Sequence, residues 1–190
     1  MIVISVNSGW VCEFGAWDGI YLSNTFNLVK KGFNAIFIEG DELKFNDLLN
    51  TTKTYKNIIP INAFVDHNDT QNSLDNLLKH TNIPVDFDVL SIDIDNYDYQ
   101  VWKSLIFYKP KIVIIEINSS VNTDNNFYIH QSGKYDGTGF KPTFDLGTEK
   151  GYKFVLHTGN MLFIRNDLFQ KLNINYDDPL ENFRTNWGGK

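Results

Sequence analysis

The sequence predicts an α/β fold of three layers, with a mostly parallel seven-stranded sheet that ends in a C-terminal antiparallel hairpin strand. Three observations predict it. Short apolar runs alternate with longer stretches of helical periodicity, in the order β-α-β-α-β-α-β-α-β-loop-α-β-β, and such alternation builds a parallel sheet with helices on both faces. The last two runs are joined only through Thr158 and Gly159, a short glycine-containing join that reads as a hairpin. Polar or acidic residues follow each of the first five apolar runs, where a parallel sheet opens onto its ligand crevice.

Each element follows from its residues. Residues 11–14 (VCEF) form a short strand stopped by Gly15. Residues 21–31 place Leu22, Phe26, Leu28 and Val29 at roughly helical spacing and stop at Gly32, so they read as a helix. Residues 34–39 (NAIFIE) read as a buried strand, and 41–52, with Leu43, Phe45, Leu48 and Leu49, as a helix. Residues 58–65 form a strand whose Pro60 calls for an early or irregular position. Asn72 or Ser73 caps a short helix over 73–80. Residues 87–94 (FDVLSIDI) are a strand, 98–108 a helix that ends before Pro110, and 111–117 (KIVIIEI) the most hydrophobic run of the chain. A long polar loop over 118–139 precedes a helix at 143–150, which Gly151 stops. Strands at 152–157 and 160–165 and a helical turn or two over 167–172 complete the pattern. Residues 1–7 (MIVISVN) read as an extra strand with no assigned place.

Composition bounds the function. The 190 residues make one domain, with its core over 11–172 and a tail over 173–190. With 42% hydrophobic and 15% aromatic residues, the chain can bury a core without disulfides or structural metal. Cys12 is the only cysteine, which excludes an intrachain disulfide and makes a reducing, cytoplasmic compartment the expectation. No apolar run approaches the roughly 20 residues that span a bilayer, and the N-terminus lacks the basic-then-apolar layout of a secretory signal. No membrane partner is expected. The net charge is −6 and the longest basic run is Lys30-Lys31, so nucleic acid is not an expected partner either.

The chemistry gathers at the strand ends. In order these are Glu13-Phe14-Gly15-Ala16-Trp17-Asp18-Gly19, Glu39-Gly40-Asp41, Asn62-Ala63-Phe64, Asp93-Ile94-Asp95-Asn96 and Glu116-Ile117-Asn118. The first is E-x-G-x-x-x-G, not the G-x-G-x-x-G that cradles a pyrophosphate, which argues against a nicotinamide oxidoreductase. Negative charge in that loop suits a cationic or amine-bearing ligand. Glu39, about 20 residues on, stands where a carboxylate accepts both hydroxyls of a ribose. Residues 62–64 can frame an adenine by backbone hydrogen bonds and an apolar contact.

The pattern resembles the class I, Rossmann-like methyltransferases that use S-adenosylmethionine, and within them the FkbM-type branch. The residues that carry the resemblance are V-C-E-F-G-A-W-D-G (11–19), I-F-I-E-G-D (36–41), P-I-N-A-F-V (60–65), N-S-L-D-N-L-L (72–78), L-S-I-D-I-D (90–95), P-K-I-V-I-I-E-I-N (110–118) and the later G-Y-K-F-V with its hairpin (151–165). The resemblance implies that Glu13, Gly15 and Gly19 hold the methionine end of the cofactor, with Phe14, Ala16, Asp18, Asn24 and Gly40 in the same site. It implies that Glu39 binds the ribose and that Asn62, Ala63 and Phe64 bind the adenine. Asp93 then faces the methionine portion or the reaction centre. The activity it implies is O-methylation of a sugar or other small polyhydroxylated acceptor. The sequence departs from the family at Asp95-Asn96, where Glu-Gly or Asp-Gly is usual; Asn tolerates the positive φ such a turn needs. It also lacks helices before the first strand, which leaves the site open or closed by another chain, as in a homo-oligomer. Both departures keep a second reading in view, a non-catalytic relative that uses the fold as a binding module.

A hydroxyl acceptor has a high pKa and needs a base or a metal. Asp93, Asp95 and Glu116 stand at neighbouring strand ends. Together with water they suit a hard divalent ion such as Mg2+. They suit equally a general base with two acceptor-binding groups, and Asp95 alone suits a helix cap. His130, in the 118–139 loop, is a further candidate base, and Phe127, Tyr128, Tyr135 and Phe140 are candidates to stack on a sugar. His67, His80 and His157 show no metal-ligand spacing, and Cys12 falls inside a strand, where a thiol is inert.

Overall fold

The computed structural model describes residues 9–68, 70–121, 127–134 and 137–172. The extra strand expected at residues 1–7, the tail over 173–190 and Tyr135 therefore lie outside the described residues. Seven strands form one sheet: β1 (Trp10–Phe14), β2 (Asn34–Glu39), β3 (Ile58–Asn62), β4 (Val89–Ile92), β5 (Ile112–Glu116), β6 (Tyr152–His157) and β7 (Asn160–Arg165). Their order is β3-β2-β1-β4-β5-β7-β6. β1 to β5 pair in parallel, and β7 runs antiparallel between β5 and β6. The strand order reverses at β1, between β2 and β4, which is where open α/β sheets bind ligands.

Side chains alternate across a strand, so each strand feeds two layers. Cys12, Phe14, Ile36, Ile38, Leu90 and Ile92 pack on one face with Trp102, Phe140 and Phe163. Val11, Ala35, Phe37 and Val89 pack on the other with Phe26, Val29 and Leu48. Pro60 pairs with Phe37 in mid-strand, yet β3 is an edge strand, so its missing N–H leaves the β2 ladder intact.

The helices are α1 (Phe26–Val29), α2 (Glu42–Thr54), α3 (Leu74–Leu78), α4 (Asp98–Ser104), α5 (Phe140–Glu149) and α6 (Asn166–Phe169). Asp41 caps α2 by accepting the N–H groups of Leu43 and Lys44. Several helices differ from the spacing-based expectation, for identifiable reasons. The helix expected over 21–31 is reduced to α1, because Leu22 adopts φ 55° and Ser23 and Thr25 turn inward to hydrogen-bond Glu13. The helix expected to reach residue 108 ends at Ser104. Beyond it the Asp75 carboxylate accepts the backbone N–H groups of Ile106 (2.8 Å), Phe107 (3.2 Å) and Tyr108 (3.2 Å), which a continuing helix would need for itself. α5 begins three residues earlier than expected; its Pro142 falls in the first turn, where a missing N–H costs nothing.

Asp75→Ala leaves three backbone donors without their acceptor. We expect it to lower the unfolding free energy by about 1–3 kcal/mol, as for loss of a charged hydrogen-bond partner, measured by urea denaturation.

Candidate functional site

The carboxyl ends of β1 to β4 open onto a cleft of about 1060 Å³. Glu13 ends β1 on its inner side and is buried. Its carboxylate accepts from Ser23 Oγ (2.9 Å), Thr25 N (3.1 Å) and Thr25 Oγ1 (2.5 Å). Burial raises the Glu13 pKa, and the same donors pull against the rise. Gly15 then carries the chain away from the sheet at φ +73°. A Cβ there would meet the Asp93 carbonyl oxygen at 2.0 Å, so the β1 exit loop lies directly on the end of β4.

The second strand end holds the loop in place. Glu39 is 7% exposed and lines the cleft. Its Oε2 accepts Trp17 N and its Oε1 accepts Asp41 N, both at 2.8 Å. Each carboxylate oxygen has room for a second donor, so the group can hold two hydroxyls while remaining fixed from behind. At the third strand end Ala63 N and Asn62 Nδ2 both donate to the Glu39 carbonyl, at 3.1 and 2.8 Å. The Phe64 ring lies over Gly40, where a Cβ would approach it to 2.3 Å. Tyr97 stacks on His67, with ring centroids 5.0 Å apart, and both line the far wall.

Of the residues predicted from sequence, the cleft brings together Glu13, Gly15, Glu39, Gly40, Ala63, Phe64, Asp93 and Asp95. The others stand behind it. Phe14 and Ala16 are packed in the two apolar layers. Asp18 accepts the N–H groups of Ile20 and Tyr21, Gly19 rests on Phe37 and Leu48, and Asn24 donates to Ser91 Oγ at 3.1 Å. Asn62 ties β3 to β2. These residues shape the loops and do not line the cleft. Trp17, Tyr21, Lys44, His67 and Tyr97 do line it. Trp17 is placed at φ 45°, with Lys44 Nζ 5.2 Å from its ring. No spacing signal in the sequence marks Tyr21, Lys44, His67 or Tyr97.

A second cleft, of about 540 Å³, opens on the far side of Asp95, which lines both. The left-handed residue of this turn is Asp95 (φ 71°), not Asn96 as expected. Asp98, Glu116, Asn118, Ser119 and Asn160 also line the second cleft. The register of β5 with β7 sets Asn160 opposite Glu116, and Asn160 Nδ2 reaches Asp93 at 3.4 Å. The Glu116 carboxyl faces that of Asp93 at the neighbouring strand end. Burial first, and the carboxylates of Asp93, Asp98 and Asp95 after it, push Glu116 up to about 8; burial likewise raises Asp93. Asp98 accepts Ile94 N at 2.8 Å and is pushed by burial up to about 7. Asp93 and Glu116 are thus both pushed toward their protonated forms, which disfavours their use as metal ligands. Among the described residues no group of three or more His, Cys, Asp and Glu side chains is placed to hold a metal ion. The Mg2+ reading of Asp93, Asp95 and Glu116 therefore has no support in the geometry.

His130 is 4% exposed, packs edge-on against Tyr97 at 4.7 Å and is not among the residues lining either cleft. Phe140 belongs to the core, against Phe144 and Phe154, and is not available to stack on a ligand. Phe127 is exposed, and Lys134 lies over the Tyr128 ring.

Neither a protein-family model nor a curated protein matches the chain by sequence. Solved structures match it by shape. The Methanococcus jannaschii fibrillarin pre-rRNA processing protein superposes with a TM-score of 0.55 at 18% identity, over 84% of this chain and 67% of that one. M. jannaschii TYW2, solved in complex with AdoMet, gives 0.51 at 14% identity over 84% and 70%. M. capricolum TrmK, solved with its natural cofactor product S-adenosyl-homocysteine, gives 0.52 at 15% identity over 84% and 63%. The chain thus spans less than two thirds of the TrmK length. With its seven-stranded, mostly parallel sheet and antiparallel β7, the protein has the Rossmann-like fold of these class I methyltransferase structures.

Proposed function

We propose that the protein is an S-adenosylmethionine-dependent methyltransferase of the FkbM-type branch, acting on a hydroxyl oxygen of a sugar-like, polyhydroxylated small molecule. The observation that carries the cofactor assignment is Glu39: a buried carboxylate at the end of β2, held from behind by two backbone amides and open toward the cleft. Glu13 and the Gly15 loop hold the methionine end, Glu39 the ribose, and the Ala63–Phe64 segment with His67 the adenine side. Bound there, the cofactor supplies an electrophilic methyl group on a sulfonium.

The rest is the work of this chain's own residues. Transfer is an in-line displacement, so fixing the acceptor beside the methyl group supplies much of the rate. The second cleft shares its Asp95 wall with the first, which puts an acceptor next to the cofactor. The acceptor hydroxyl gives its proton to the Asp93–Glu116 pair, and Asn160 Nδ2 holds Asp93 in position. Glu116 serves as base once it has lost its own proton.

Two outcomes test the reading. S-adenosylhomocysteine titrated by calorimetry should bind, and Glu39→Ala should weaken it at least tenfold, about 1.4 kcal/mol; unchanged affinity refutes the ribose role. Second, a carboxylic acid with a raised pKa is protonated below it, so the base form grows as pH rises. Methyl transfer should climb with pH through about 8 and then level off. Glu116→Gln should flatten that rise, measured as the pH profile of initial rates.

A further inference from the structure

We propose that Tyr97 is a positioning residue for the planar base of the cofactor, acting through His67: its ring holds the His67 imidazole as a fixed aromatic wall of the first cleft. The inference rests on the methyl-transfer reading for the identity of the ligand. It goes beyond that reading in assigning a role to Tyr97.

The two rings come from distant places on the sheet. His67 follows β3 and Tyr97 follows β4, and in the order β3-β2-β1-β4 these strands are three spacings, about 14 Å, apart. The rings nevertheless meet face to face, with centroids 5.0 Å apart and planes within 7°. The stack thus joins the exit loops of two strands separated by β2 and β1, the strands that lead to Glu39 and Gly15. Each ring is tied on its own side. His67 Nδ1 lies 3.7 Å from Asp66 Oδ1, and the Asp66 carboxylate accepts Asn68 N at 2.9 Å and Thr70 Oγ1 at 3.1 Å. Tyr97 meets the buried His130 ring nearly at right angles, at 4.7 Å. His130 N donates to Thr138 Oγ1 at 3.1 Å, and the His130 carbonyl accepts Gln100 Nε2 at 2.9 Å. Tyr97 is therefore the ring that connects half-buried His67, on the cleft wall, to a histidine anchored behind it.

The lining of the cleft says which part of a ligand this wall selects. Phe64, over Gly40 on the β2 side, is exposed and lines the same cleft, so aromatic groups stand on its β2 and β4 sides. Flat π faces stack on a planar heterocycle, and the ribose and methionine portions of the cofactor offer no such face. An imidazole without a partner rotates about its side-chain bonds and must be ordered when the ligand binds. The stack on Tyr97 fixes its plane in advance, which lowers the ordering cost of binding.

The test is calorimetry on the full chain at pH 7 with S-adenosylhomocysteine and, separately, with adenosine, which has the base and ribose but no amino-acid end. Tyr97→Ala should weaken both ligands at least fivefold and by the same factor. Tyr97→Phe keeps the ring, loses the hydroxyl and should hold both affinities within twofold of the native chain. Tyr97→Leu fills the site without a flat face and should weaken both as Tyr97→Ala does; Tyr97→Phe against Tyr97→Leu carries the test should Tyr97→Ala fail to fold. His67→Ala should cost as much as Tyr97→Ala. The double variant should lose no more than twofold beyond the larger single loss, because the two rings act as one wall. Full affinity in Tyr97→Leu, lost affinity in Tyr97→Phe, losses that multiply in the double variant, or a loss confined to S-adenosylhomocysteine overturns the proposal. So does a native chain that binds S-adenosylhomocysteine and not adenosine. A native chain that binds neither ligand defeats the methyl-transfer reading and this inference with it; binding that the variants leave unmoved defeats this inference alone.

Discussion

Carboxyl groups drawn wholly or partly out of water along the carboxyl edge of one sheet are the constraint on which the rest of this protein depends. Glu13, Glu39, Asp93, Asp98 and Glu116 all stand there, and none is in an ion pair among the described residues. A carboxylate removed from water must be hydrogen-bonded, protonated or paired. Each of these takes a different route. Glu13 recruits two hydroxyls and a backbone amide from residues 23–25, which bends into a turn a segment of helical spacing. Glu39 recruits two backbone amides, and in doing so fixes the Trp17 and Asp41 loops on either side of the crevice. Asp93 and Glu116, at the ends of β4 and β5, are raised toward their neutral forms by burial, and Glu116 further by the carboxylates around it. Asp98 takes one backbone N–H and is held toward its neutral form by burial. The loops around the crevice have their shape because these groups had to be accommodated.

The same constraint explains how far the sequence could be read. Sheet membership was legible, because apolar runs such as NAIFIE and KIVIIEI are local signals and every strand expected among the described residues exists. Strand ends were read too long at β3 and β4, since pairing stops where the chain turns into the crevice. Helix ends failed where a distant side chain competes for backbone donors. Asp75 lies 31 residues from Ile106, and Glu13 lies 12 from Thr25. No window of helix periodicity contains either partner, so α4 and α1 read longer than they are.

The candidate site divides along the same line. Residues singled out because they stand at strand ends, Glu13, Glu39 and Asp93, do line the cleft. Phe14 and Ala16 were carried in by their neighbours. Strand parity puts Phe14 opposite to Glu13, with Cys12 in the core, and a strict count of alternation excludes it. The second cleft was legible only in part. Asp95, Glu116 and Asn118 follow strands, but Asn160 enters through the register of an antiparallel strand, and Ser119 through a hydrogen bond to a residue 38 positions away. His130, a histidine in a long polar loop, has its ring packed edge-on against Tyr97, a contact no local pattern signals.

Asp95 is where the two clefts meet, and its backbone shows why they are kept apart. A non-glycine residue in the left-handed region costs about 1–2 kcal/mol, less for Asp than for most residues. Glycine would carry the chain through the same turn at no such cost, but it would present no side chain to either cleft. The turn follows β4 directly, with Asp93 pressed against Gly15 on one side and Ile94 held by Asp98 on the other. The hydrogen bond from Ile94 N to the Asp98 side chain spans Asp95, so the strain there is held in place by its neighbours. The result is a carboxylate on the wall common to both clefts.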